Sequence, residues 1–208
     1  MTQTIAAQNI TLAELHEIFG LIITYDPNFF PEWQQELPEI TEDEKQRLDR
    51  VKRNYLSLVV RHPLSENMVK MVVLEHLLDL AEFYLLPFDV LDEKSIEILV
   101  EDRDVVIRGR LDFLVFKDRL WFAIAESKKT TLSLVEAIPQ SLAYMLKTPN
   151  PERPIFAFLT NGEDFLFLKL IGEDTPQYAL SDKFTLLKRS NELYDVLRII
   201  KKLSRTIN

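Results

Sequence analysis

From about residue 94 the hydrophobic pattern changes period, and no other feature of the sequence constrains the fold as strongly. Upstream, apolar residues recur at helical spacing: Leu48, Val51, Tyr55, Leu58 and Val59 make one helix face. Downstream, residues 95–100, 105–116 and 120–128 alternate with a period of two and read as three strands. The last two are joined by the tight Lys117-Asp118-Arg119 connection. Residues 155–160 and 165–170 read as two more strands around the turn signal Asn161-Gly162. Helices, a three-strand meander, a crossover helix, two strands and a helix predict a mixed sheet flanked by helices, in the α/β or α+β class.

Capping chemistry sets the expected helix boundaries. Thr11 with Glu14, Thr41 with Glu44 and Ser133 with Glu136 each have the spacing of a capping box. They open a short helix through Phe19, a helix ended by His62-Pro63, and a helix to about residue 147 that Pro139 kinks or restarts. Ser65 caps a long, largely apolar helix to about Phe83, and Ser190 opens an amphipathic helix to about Arg205. Residues 24–40, with Pro27, Pro31 and Pro38, predict an ordered loop. A chain of 208 residues suffices for one core, so we expect a single structural domain: a helical extension over 1–62 packed on a core over 63–208.

Composition removes several function classes. Without cysteine there is no disulfide framework, thiolate zinc site or cysteine nucleophile. His16, His62 and His76 lie in different predicted elements, which argues against a histidine metal site. Four scattered glycines form no phosphate-cradling loop. Met1–Ile10 lacks the basic start and apolar run of a secretory signal, and Glu75, Asp79, Glu82 and Asp89 interrupt the most apolar long stretch. A cytoplasmic protein with no membrane partner is expected. A net charge of −8 argues against coating nucleic acid by charge alone. Yet residues 105–131 hold six Lys/Arg against three acids, and residues 181–208 seven against three, so a polyanion could meet a locally basic surface.

The chemistry concentrates at the end of the strand over 120–128. Alternation puts Phe122, Ile124, Glu126 and Lys128 on one face, so a charged pair terminates an apolar strand, at a cost unless it serves a purpose. On the preceding strand Arg108, Arg110 and Asp112 share a face. A hairpin turn centred on Asp118 sets Asp112 opposite Ile124; one centred on Arg119 sets it opposite Glu126. Either even register brings the two carboxylates onto one face, roughly 5 to 8 Å apart at Cβ. A hard divalent cation, with oxygen bonds of about 2.0–2.1 Å, could then be held between them. An odd register would separate them. Two carboxylates, a metal and the adjacent Lys128, which could orient a water or stabilise growing negative charge, suit phosphodiester hydrolysis.

The run Gly109-Arg110-Leu111-Asp112, followed by Glu126-Ser127-Lys128 at the end of an apolar strand, resembles the PD-(D/E)XK, or restriction-endonuclease-like, nuclease superfamily. Gln140 followed by Tyr144 is similar to the Gln-xxx-Tyr motif of its helicase-linked exonuclease and type I restriction branches. Leu159-Thr160-Asn161-Gly162 resembles the nuclease domain of type I restriction motor subunits. The similarity spans roughly residues 65–170, and Leu111 stands where the family carries a proline. The resemblance implies a restriction-endonuclease-like core, Mg2+ or Mn2+ held by Asp112 and Glu126, Lys128 as catalytic lysine, and Gln140 placing that lysine or the nucleic-acid backbone. Glu66 matches an acid that many relatives carry in their first core helix, where it completes the metal site; an acid in a helix first turn is also favoured by the dipole alone, by about 0.3–1 kcal/mol. Arg108, Arg110, Lys129 and Tyr144 are candidate nucleic-acid contacts. In the terminal helix Arg198, Lys201, Lys202 and Arg205 form either a phosphate-contacting face or a solvated one. DNA is the expected substrate and RNA the alternative. The chain has no nucleotide-binding motif, so a motor or specificity subunit would be a separate partner, and a homodimer is open. The rival reading is a catalytically weak or inactive nuclease-fold module that binds or regulates.

Overall fold

A computed structural model of the chain describes residues 3–100, 105–117, 120–126, 134–147, 153–172 and 175–206. A nine-stranded mixed sheet runs through it, and the mixed α/β expectation holds. The strands are β1 (Gln3–Ala6), β2 (Ile22–Ile23), β3 (Asp89–Val100), β4 (Val105–Lys117), β5 (Leu120–Glu126), β6 (Ile155–Thr160), β7 (Asp164–Ile171), β8 (Gln177–Leu180) and β9 (Phe184–Thr185). Their order is β1-β4-β5-β6-β7-β8-β2, with β3 also on β4 and β9 also on β7. The β5–β6 pair is parallel, joined by a crossover that carries α5 (Ile138–Met145).

Each face of the sheet buries its own apolar cluster. On one side Phe156, Phe158, Phe165 and Phe167 pack against α2 (Glu42–Val59), α3 (Glu66–Val69), α4 (Glu75–Leu80) and α6 (Leu193–Thr206). On the other, Ala157, Leu159, Leu166 and Leu168 pack against α5 and α1 (Leu12–Phe19). The odd and even positions of β6 and β7 thus serve different cores, which is why both strands read as mostly apolar, with Lys169 breaking the run in β7. Among the described residues no helix is long and apolar enough to cross a membrane.

Local chemistry accounts for the elements. Both foreseen capping boxes over described residues form: Thr11 Oγ1 accepts from Glu14 N, and Thr41 Oγ1 from Glu44 N at 3.3 Å while Thr41 N donates to the Glu44 carboxylate at 2.6 Å. In α2, Leu48, Val51 and Tyr55 are buried at helical spacing, each removal from water contributing about 1.5–3 kcal/mol. The long helix expected over 65–83 is α3, a π-helical segment over Lys70–Leu74 and α4; the wide turn lets Val73 and Leu74 both face the core. Pro139 marks a restart, since a 3-10 turn over Leu134–Ala137 gives way to α5 at Ile138. Ser133, its expected cap, lies outside the described residues. The last helix is capped by Asn191, whose side chain accepts from Leu193 N at 3.3 Å, rather than by Ser190.

Residues 1–62 are more than the expected helical extension. β1 pairs parallel with β4 and β2 parallel with β8, so the N-terminal segment supplies strands at both ends of the sheet path.

Candidate functional site

β4 and β5 form an antiparallel hairpin paired as Phe113 with Ile124, Leu114 with Ala123, Val115 with Phe122, Phe116 with Trp121 and Lys117 with Leu120. This corrects the even-register expectation. The loop contains two residues, Asp118 and Arg119, so the pairing falls between the two registers considered from sequence. Counting back from Phe113, strand alternation alone assigns Asp112 and Glu126 to opposite faces.

On its other edge β4 pairs with β3 in one register from Asp89–Phe116 to Val100–Val105, so neither strand carries an extra residue; the pairs pass over Glu93 and Asp112, which stand opposite each other in that register. Near the start of β4, Ile107 is fully buried in the α1/α5 cluster, and its parallel neighbour Ile5 packs there too. Glu126 pairs with Thr160, two positions after Phe158 of the α2/α6 side, and so takes a position on that side of the sheet.

The sheet also opens at this point. The β4–β5 pairs end at Phe113–Ile124, whereas β5 stays paired with β6 through Glu126–Thr160. Asp112 thus lies beyond the hairpin ladder on one edge and at the gap of the β3 ladder on the other.

Beside the end of β5, the β6–β7 turn is closed by its own side chains. Thr160, 1% exposed, accepts from Gly162 N at 2.9 Å through its hydroxyl, and the Asn161 side chain accepts from Glu163 N and Asp164 N at 3.1 and 2.8 Å. Gly162 has φ of +86°, and a Cβ there would meet Val69 Cγ1 at 2.3 Å, so α3 sits directly on this turn. Glu66 opens α3, one helical turn before Val69, and its side chain is outside the described residues. Glu163 accepts a 3.4 Å bond from Tyr55 Oη of α2, and burial followed by the neighbouring Asp164 pushes its carboxyl above the usual range.

The remaining candidates divide. Gln140 Nε2 donates to Tyr144 Oη at 2.9 Å, so the two residues of the Gln-xxx-Tyr pattern form one unit. Tyr144 is 1% exposed in the α1/α5 cluster, where its hydroxyl accepts from Gln140. α5 covers the side of the sheet opposite to Glu126, so Gln140 does not share that face. Arg108 is exposed. The side chains of Asp112, Glu126 and Arg110 are not described, and Ser127, Lys128 and Lys129 lie wholly outside the described residues. Among the described residues no group of three or more His, Asp or Glu could hold a metal ion.

The cationic face of α6 is corrected too. Arg198 bonds Glu39 at 2.7 Å and the Pro38 carbonyl at 3.2 Å, Lys201 pairs with Glu44, and Lys202 with Glu36 at 3.1 Å. These cations clamp the proline-containing loop and the start of α2 onto α6 and are largely spent. Nothing in the local sequence signals this, because each pair joins segments far apart in the chain.

No family model matches the chain, and no curated protein matches it.

Proposed function

We propose that this chain is a divalent-metal-dependent nuclease that hydrolyses DNA phosphodiester bonds, with restriction or DNA repair as its setting and RNA as the alternative substrate. The observation that carries the reading is that Asp112 stands just beyond the last β4–β5 pair, beside the end of β5 that bears Glu126. Beyond the last hairpin pair the two strands are no longer held in register against each other, so their carboxylates can approach across the gap. On this reading the mixed sheet is the restriction-endonuclease-like one.

Carboxylate oxygens fit a hard cation, and Asp112 and Glu126 would hold Mg2+ or Mn2+ with Glu66 as a third oxygen donor. Such an ion, when bound, polarises a phosphoryl oxygen and lowers the pKa of water. Lys128 orients the attacking water or balances charge growing on the phosphate. Arg108, Arg110 and Lys129 hold the flanking backbone, a contact that positions without reading sequence. Gln140, tied to Tyr144, supports the segment after β5 from the other side of the sheet.

A second reading, a non-catalytic nuclease-fold module, is favoured by the hairpin register, which on its own separates Asp112 from Glu126. One assay decides. Purified protein is mixed with plasmid and single-stranded DNA and with Mg2+ or Mn2+. Cleavage abolished by Asp112→Ala and by Lys128→Ala supports the enzyme. No cleavage, or cleavage indifferent to both substitutions, leaves the module.

A further inference from the structure

A cleft of about 510 Å³ opens between α2 and the segment 189–194 leading into α6, and neither the nuclease reading nor the family resemblance uses it. Arg50, Arg53 and Arg189 line it together with Asp49, Asn191 and Tyr194. All three arginines are exposed, and none has a hydrogen bond or ion pair among the described residues. That sets them apart from the α6 cations, which are matched to acids of the facing loop. The one carboxylate in the cleft is already engaged: Asp49 accepts from Asn191 Nδ2 at 2.9 Å and Tyr194 Oη at 2.8 Å.

The cleft is also bridged from wall to wall. Lys52 of α2 donates to the carbonyls of Lys188 and Ser190, the latter at 2.7 Å. The residues on either side of Arg189 are therefore pinned to the helix that carries Arg50 and Arg53. Arg50 and Arg53 stand three residues apart, about 4.5 Å along the axis. That is close enough to serve neighbouring phosphates of a strand carrying one charge per about 3.4 Å. Planar guanidinium forks suit phosphate oxygens better than point charges do. Arg53 acts on Asp49 through the field alone, and three guanidinium forks against that single carboxylate, on a chain of net charge −8, are a local reversal of sign.

We propose that this cleft holds the phosphate backbone of a nucleic-acid strand. Its place in the fold agrees with that role. Glu163 accepts from Tyr55 Oη of α2, and its carbonyl accepts from Leu186 N at 2.8 Å. The cleft and the end of β5 are thus linked through the same β6–β7 turn. The role deepens the nuclease reading and rests on it, but the binding can be tested without catalysis.

Binding of a fluorescent 20-nucleotide single strand is followed by anisotropy in EDTA, across a salt series. The comparison is between the wild type, Arg50→Gln/Arg53→Gln/Arg189→Gln, and the corresponding triple lysine variant. Loss of three phosphate contacts lowers the salt slope by about 2, at about 0.7 per contact on a single strand. The affinity should fall at least about tenfold, and the lysine variant should keep most of the slope. Unfolding midpoints check the fold, and Arg189→Gln alone serves if the triple variant is unstable. The readout is binding in EDTA, so a protein that binds the strand through these arginines yet cuts nothing with Mg2+ keeps this inference while the nuclease reading falls. No binding by the wild type, or an affinity and slope unchanged in the glutamine variants, would overturn it. So would equal binding of polyglutamate, which means any polyanion suffices, or saturation of the cleft by millimolar inorganic phosphate without displacement of the strand.

Discussion

Gly162→Ala isolates the contact that seats α3 beside the candidate site. At φ of +86° an L side chain suffers backbone strain of about 1–2 kcal/mol. The added methyl would also lie 2.3 Å from Val69 Cγ1 and 2.8 Å from Cγ2. Val69 is 1% exposed and β-branched, so it cannot swing aside, and overpacking of this kind costs about 1–3 kcal/mol. The two costs arise separately and predict a loss of about 2–5 kcal/mol in all. Val69→Ala removes both clashing carbons, so in that background the same substitution should cost only the backbone strain. The double-mutant cycle should therefore show a favourable coupling of about 1–3 kcal/mol. Urea unfolding of the four proteins measures it. Equal costs of Gly162→Ala in both backgrounds, or a cost below about 1 kcal/mol in the wild type, would refute the seating of α3 on this turn.

Other substitutions probe the frame. Thr41→Ala removes the hydroxyl that accepts from Glu44 N and should lower stability by about 0.5–2 kcal/mol in the same unfolding assay. Lys169→Met leaves the part-buried Glu32 without its 2.6 Å partner, with one carboxylate oxygen already unbonded among the described residues; a loss of about 3 kcal/mol is expected, largely recovered by adding Glu32→Leu. Glu163 tests the pH dependence. Burial and Asp164 raise its pKa above the usual 4.5, so between that value and the folded one the native state keeps a proton that the unfolded chain has lost. Its contribution to stability is present below 4.5 and falls as pH rises through the folded value. Glu163→Gln should therefore stabilise at neutral pH relative to its effect in acid, read from urea midpoints at both.

The parts legible in the sequence were those fixed by local chemistry: the two capping boxes, the helical stripe of α2, the Pro139 restart and the Asn161-Gly162 turn. What escaped depends on partners distant in the chain. β1 and β2 are four and two residues long and are strands only because β4 and β8 lie beside them. β3 starts at Asp89, six residues before the expected Ser95, and its charged stretch is strand because β4 pairs with it. Likewise the α6 arginine and lysines read as solvent-facing because the acids that neutralise them belong to residues 36–44. The pairing of Asp112 with Glu126 was posed correctly as a question of register, but one fewer residue in the hairpin loop reversed its answer.

Mn2+ binding tests the central claim most directly. Titration of the metal-free protein, followed by the loss of the free-ion electron paramagnetic resonance signal, counts ions held per chain without requiring turnover. The account predicts that ion binding is lost or sharply weakened in both Asp112→Asn and Glu126→Gln while the unfolding midpoint is kept. No retained ion, or retention indifferent to either substitution, would contradict a metal site shared by the two strands.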